Sequence, residues 1–213
     1  MEVLDLGRRG YKEVWDLQRE IQKKRVLGQV EDTLILVEHN PVITLGKNGD
    51  PENLLIPPEE LKRRGIDFFR IERGGDITFH GPGQLVGYPI FEIRSGFAGI
   101  KPFIRAIEDV VIRTLKRFGI DGDRGDHPGL WVKERKILSI GIAVKRWVSF
   151  HGFALNVNND PADFTIINPC GHTGMAVTSI KYLLGGEVDI GLVKGEIIKH
   201  FRSIYEKAGV AQD

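Results

Sequence analysis

The chain has 213 residues, 41% of them apolar and 28% charged, and its 30 basic against 29 acidic side chains leave a net charge of +1. Such a length buries a full core without disulfides or metal staples. The balanced charge offers no global field for gathering nucleic acid, and no run is apolar for long enough to cross a bilayer. The single cysteine, Cys170, excludes an intrachain disulfide. Together with an amino terminus that lacks the basic start and apolar run of a secretory signal, it points to a reducing cytoplasm. No repeat or low-complexity tract is present, and one domain spanning residues 1–213 is expected.

Residues 11–27 place Val14, Leu17 and Ile21 on one helical face, with Gly28 as a stop. The β-rich run 33–38 breaks at Asn40-Pro41 and resumes over 42–45, which predicts two strands joined by a turn. A strand over 67–72 precedes the glycine-rich segment Arg73-Gly74-Gly75-Asp76-Ile77-Thr78-Phe79-His80-Gly81-Pro82-Gly83. Another follows over 85–93, where Pro89 implies an edge or a bulge.

Pro102 opens a second helix whose Ile104, Ile107, Val111, Leu115 and Phe118 recur at helical spacing, and Gly119 closes it. Runs 130–133, 137–144 and 147–157 read as consecutive antiparallel strands, 158–162 as a polar loop and 192–207 as a final amphipathic helix. Strands and helices mix without strict βαβ alternation, which predicts an α+β fold, not a doubly wound nucleotide fold.

Two segments carry chemistry. Gly74-Gly75 and Gly81-Pro82-Gly83 hold residues 76–80 between two bends, a geometry that suits either a carbonyl-binding rim or a surface hairpin. The segment matches neither the dinucleotide pattern GxGxxG nor the phosphate-loop pattern GxxxxGK[ST]. Cys170 lies among turn formers in Asn168-Pro169-Cys170-Gly171 and is the best nucleophile in the chain. A thiol titrates near ~8.5, so it needs a basic partner to act as thiolate at neutral pH. The candidates are Lys136, His172, His80 and Lys181, with Lys136 at a strand start either facing a cleft or solvated.

The six histidines are scattered without HxxxH or HExxH spacing, so no metal is expected. The basic clusters Lys23-Lys24-Arg25, Lys62-Arg63-Arg64 and Lys145-Arg146 read as solvated faces. No Gly-x-Ser-x-Gly elbow supports a serine hydrolase.

The blocks RGGDITFHGPGQLVGYPI, KILSIGIAV, FHGFALNV and INPCG, in that order, together resemble the lipoyl(octanoyl) transferases; EHNP upstream also fits. The resemblance implies a mixed sheet flanked by helices plus a smaller sheet, as in lipoate ligases and biotin protein ligases. It implies that Cys170 carries the acyl group as a thioester and that Lys136 lowers the thiol pKa and handles protons. One pocket wall is implied for Arg73, Gly74, Gly75, Asp76, Ile77, Thr78, Phe79 and His80. A second falls to Ser139, Ile140 and Gly141, and a third to Gly152, Phe153 and Ala154, with His39 nearby.

The implied donor is octanoyl acyl carrier protein. The implied acceptors are lipoyl domains of 2-oxoacid dehydrogenase complexes and the glycine cleavage H protein. No cofactor, metal, nucleic acid or membrane is implied. An ATP-dependent lipoate or biotin-type ligase on the same fold is the alternative, and a non-catalytic binding module or a cysteine hydrolase are weaker ones.

Overall fold

Apolar runs too short for helices and rich in β-branched residues build two sheets. In the computed structural model, which describes residues 1–208 without the Cys170 side chain, the elements run β1 (Glu2–Arg9), α1 (Tyr11–Val26), β2 (Thr33–His39), β3 (Val42–Leu45), α2 (Pro58–Arg63), β4 (Asp67–Arg70), β5 (Ile77–His80) and β6 (Gln84–Ile90). They continue with α3 (Ile100–Arg117), β7 (Asp123–Arg124), β8 (Gly129–Val132), β9 (Arg135–Lys145), β10 (Val148–Asn156), α4 (Ile180–Leu184) and α5 (Ile190–Lys207). Short 3-10 turns occupy Pro51–Asn53, Pro161–Ile166 and Pro169–Gly171.

Seven strands form a mixed sheet in the order β1-β2-β6-β10-β9-β8-β7, and three form a smaller sheet in the order β4-β3-β5. The β1–β2 and β3–β4 pairs are parallel and the remainder antiparallel. This is the α+β architecture expected.

The continuous apolar run of β2 reflects burial on both faces. Leu34 and Leu36 meet α3 and α5 through Phe103, Ile107, Val111 and Phe201, whereas Ile35 and Val37 meet α1 through Val14. The smaller sheet has its own core, in which Ile43, Leu45, Ile77 and Phe79 pack on Leu61, Phe164 and Ile166. Burying each such side chain contributes about 1.5–3 kcal/mol, so all three layers contribute to the support of the space between the sheets.

Three expectations change. β1, not read as a strand from the sequence, is a half-exposed edge strand paired on one side only, with Leu4 and Leu6 packed partly buried against the core beneath α1. β2 and β3 are joined by a turn but belong to different sheets, so Asn40-Pro41 carries the chain from one layer to the other. Pro89 lies inside the large sheet, where the β6–β10 register ends at Phe153↔Gly87 and β10 is distorted by His151 at φ 55. Ser149 repairs the gap: its Oγ donates to the Pro89 carbonyl at 2.7 Å and accepts the Phe91 N–H at 3.0 Å. The pairing resumes in the same register at Glu92↔Val148, so the ladder is interrupted at Pro89 without an inserted residue, and Pro89 marks neither an edge nor a bulge.

Candidate active site

The face of the large sheet that carries α1, the smaller sheet and the glycine-rich segment enclose a slot. It holds about 490 Å³ free of protein atoms, its solvent-open mouth included. Arg73, Gly75, Asp76, Ile77, Thr78 and His80 line one side. Ser139, Ile140 and Gly141 of β9 and Gly152, Phe153 and Ala154 of β10 line the other.

Two residues expected on the first wall lie elsewhere. Phe79 packs in the second core, its ring edge-on to Phe164 at 5.9 Å; alternation along β5 puts Ile77 on that same core face, although Ile77 also borders the slot. Gly74 bridges to β9 instead, donating its N–H to the Ile142 carbonyl at 3.0 Å. Neither is among the lining residues.

The glycine-rich segment is fastened at its Arg73 end. Arg73 is buried and donates from Nη2 to the carbonyl and hydroxyl of Thr44 at 2.8 and 3.0 Å, and from Nη1 to the Gly74 carbonyl at 3.0 Å. A Cβ on Gly141 would stand 2.9 Å from both Arg73 Cδ and the Gly74 oxygen, so only glycine lets β9 approach this closely. The segment is therefore a wall clamped to the sheet, not a free hairpin.

The Cys170 side chain lies outside the described residues, but the turn bearing it is held from two directions. Asn168 donates its backbone N–H to the Asn53 carbonyl at 2.8 Å and its Nδ2 to Asn53 Oδ1 at 3.3 Å. Asn53 Nδ2 in turn donates to Asp76 Oδ2 at 2.9 Å, while Asp76 Oδ1 accepts the backbone N–H groups of Asp50 and Ile77 at 3.2 and 2.7 Å. Gly171 at φ 76 closes the turn so near that a Cβ would fall 2.7 Å from Asp76 Oδ2. Asp76 thus joins the wall of the slot to the cysteine turn.

Lys136 is not a solvated strand end. It is only 4% exposed, with Nζ 4.7 Å from the Trp131 ring centroid. Chain leaving Cys170 returns over residues 176–178 to pair with it: Lys136 N–H donates to the Ala176 carbonyl at 2.8 Å, and Thr178 N–H to the Lys136 carbonyl at 3.0 Å. Of the other candidate bases, Lys181 pairs with Glu187 at 2.9 Å, while His172 is exposed with its ring 5.4 Å from that of His127.

His80 lines the slot, and the ring of His39 lies 6.1 Å from that of His80, outside the lining. The His39 Nδ1 contact is to the Arg9 carbonyl at 3.2 Å, which can only accept, so Nδ1 carries the proton and Tyr88 Oη donates to Nε2 at 2.8 Å. Burial holds His39 down at about 4 and His80 at about 3, so both are neutral near pH 7. Burial likewise pushes the phenols of Tyr11 and Tyr88 up.

Sequence reading missed Tyr11, Val86, Tyr88 and His151 in the lining. Val86 and Tyr88 lie within the block RGGDITFHGPGQLVGYPI and His151 within FHGFALNV, but no wall is assigned to them; Tyr11 lies outside the blocks, and its signal is its place at the start of α1, on the face that Val14 shares. His151 sits in the left-handed region, with Nε2 3.5 Å from Glu72 Oε2 and no hydrogen-bond partner for either ring nitrogen among the described residues. No cluster of three or more His, Cys, Asp or Glu suited to a metal occurs among the described residues.

Residues 10–202 match the family model described as the lipoyl protein ligase A/B catalytic domain. An octanoyltransferase of Dictyoglomus thermophilum is 54% identical over 171 residues, covering 80% of this chain and 72% of that one. One of Alkaliphilus metalliredigens is 44% identical over 207 residues, covering 96% and 95%. The chain belongs to the octanoyltransferase family. It is accordingly an acyltransferase.

Among solved structures, lipoate-protein ligase A bound with ATP superposes with a TM-score of 0.73 at 15% identity, covering 96% of this chain and 85% of that one. The biotin protein ligase of Aquifex aeolicus gives 0.57 at 11%, covering 97% and 70%. At those identities the likeness shows the shared fold alone. Among the described residues, no helix is long and apolar enough to cross a membrane.

Proposed function

We propose that Cys170 takes an octanoyl group from octanoyl acyl carrier protein and passes it to the acceptor lysine of lipoyl domains, those of 2-oxoacid dehydrogenase complexes and of H protein included, in the cytoplasm. The observation that carries this reading is the Asn168–Asn53–Asp76 link, which seats the only cysteine turn of the chain against the wall of the slot.

In the first step the Cys170 thiolate attacks the donor carbonyl; a new S–C bond forms and the pantetheine C–S bond breaks. In the second, the lysine nitrogen attacks, the C–N bond forms and the Cys170 S–C bond breaks. Two thioesters of similar energy precede an amide, so the sequence needs no ATP. Ping-pong kinetics follow. Lys136, buried and with its main chain clamped by the segment that follows Cys170, is the group assigned to favour the thiolate.

Intact-mass measurement after incubation with octanoyl acyl carrier protein, without ATP or acceptor, tests the reading. One adduct, released by hydroxylamine and absent from Cys170→Ser, is expected. A folded protein that forms no adduct but modifies a lipoyl domain with ATP and free acid would establish the ligase reading instead.

A further inference from the structure

We propose that Gln84 and Asn156 are positioning residues that hold His80 as the Nδ1–H tautomer, so that its Nε2 accepts a hydrogen bond from the attacking amine of the acceptor lysine. The inference rests on the thioester reading above and assigns a role within its second step.

The tautomer follows from two fixed points. The Thr178 carbonyl can only accept, so the Asn156 atom 3.0 Å from it is Nδ2, and Oδ1 faces the other way. Oδ1 accepts from Gln84 Nε2 at 2.9 Å and from Asn159 Nδ2 at 3.2 Å. The Phe79 carbonyl, 3.4 Å from Gln84 Nε2, fixes the same orientation independently. Gln84 Oε1 is therefore the atom 2.7 Å from His80 Nδ1, and it can only accept. Nδ1 must carry the hydrogen, which leaves Nε2 with a lone pair. All three members of the relay are buried, at 2% exposure for Gln84, 4% for Asn156 and 7% for His80, so water offers little competition.

His80 lines the slot, and the bond at Nδ1 is the hydrogen bond its ring makes among the described residues. Its ring lies parallel to that of Tyr11, 5° between planes with centroids 6.1 Å apart, which limits rotation. The relay also reaches Lys136, because Thr178 donates its N–H to the Lys136 carbonyl. One hydrogen-bonded chain thus spans from the clamp on Lys136 to a lone pair at the slot.

An acceptor nitrogen calls for a donor. The octanoyl chain, the carbonyl oxygen and the thioester sulfur have none, whereas the neutral lysine amine brings two N–H bonds. Giving one to Nε2 leaves the nitrogen lone pair to be aimed at the carbonyl. His80 takes no proton in this role; the hydrogen lost when the C–N bond forms ends on the departing Cys170 sulfur. A thiol S–H is the competing donor, and it belongs to the first step.

Long-range 1H–15N spectra of the whole chain, uniformly labelled, should show His80 with a protonated Nδ1 and a bare Nε2 near pH 7. Rapid-quench mass spectrometry then separates self-acylation by octanoyl acyl carrier protein from transfer to an unmodified lipoyl domain. In Gln84→Leu, transfer should fall roughly 10- to 100-fold relative to self-acylation, the scale for loss of one orienting contact. In Gln84→Glu, a carboxylate at Nδ1 favours the imidazolium, so transfer should gain a new acid limb and recover as pH rises, while self-acylation does not.

A His80 carrying its proton on Nε2 in the wild-type chain would overturn the proposal. So would variants that slow both steps alike. If Gln84→Leu does not fold, the tautomer and the Gln84→Glu pH profile still decide. If the wild-type chain forms no adduct, the thioester reading fails and the amine assignment with it, whatever the tautomer.

Discussion

Acid should destabilise this protein well before its carboxylates require it, because His39 and His80 are buried as neutral rings. Their folded values of about 4 and about 3 lie below the value near 6.5 of a free imidazole. Between those limits the unfolded chain binds more protons than the folded one, so stability rises with pH; the contribution is complete above about 6.5 and is lost as pH falls toward the folded values. Integrating from about pH 8 to about pH 5, each ring removes roughly 2 kcal/mol, and the pair about 4. That is a large part of the roughly 5–15 kcal/mol that domains of this size possess.

His151, also held down by burial, adds in the same direction. The low carboxyls of Glu60 and Glu72, both at about 2, act only at more acid pH, which keeps the window clean. Urea titrations at several pH values between about 8 and 5 measure the slope, and His39→Gln or His80→Gln should each remove about half of what the pair contributes. A stability that stays flat across that window would refute the neutral, buried state of these rings.

Two further outcomes follow from the clamps. Gly141→Ala forces a Cβ to 2.9 Å from both Arg73 Cδ and the Gly74 oxygen; it should cost about 1–3 kcal/mol in urea unfolding and lower kcat/KM for octanoyl transfer, whereas wild-type values for both would show that the wall is not pressed against β9. Asn53→Ala removes the bonds to Asp76 and Asn168; formation of the octanoyl adduct should slow more than overall stability falls, by about 1–2 kcal/mol for two hydrogen bonds, and an unchanged acylation rate would free the cysteine turn from any need of Asn53.

What could be read from the sequence was local. Val14, Leu17 and Ile21 mark α1, the helical spacing of Ile107, Val111 and Leu115 marks α3, and the charged or tight breaks between β8, β9 and β10 mark a three-stranded run. Each signal lies within a few turns of chain. The slot does not. Asn168 and Asn53, whose side chains meet at 3.3 Å, are 115 positions apart, and no periodicity connects them. The proximity of the cysteine turn to the glycine-rich wall came from family resemblance, while the burial of Lys136 against Trp131 needed the register of β8 on β9. Tyr11, Tyr88 and His151 went unassigned for another reason: their role depends on which face of a helix or strand meets the opposite layer.

Two of those residues, Tyr11 and Tyr88, bear on how the proposed reaction selects its acyl group. About seven buried methylene and methyl groups at ~0.8 kcal/mol each contribute roughly 5 kcal/mol, equivalent to binding on the order of 0.1 to 1 mM. Two more methylenes would add only about 1.6 kcal/mol, or roughly 15-fold, and in the wrong direction for excluding a longer chain. Apolar burial therefore cannot set the length; a wall that refuses to move must. The aromatic side of the slot has that character. Tyr11 stacks on Phe69 at 5.7 Å, Tyr88 is tied through its hydroxyl to His39 at 2.8 Å, and His39 is tied to the Arg9 carbonyl at 3.2 Å. If the acyl chain ends against Tyr88, a longer chain would cost that side chain a buried hydrogen bond worth about 1–3 kcal/mol, the same order as the gain of about 1.6 kcal/mol from two extra methylenes.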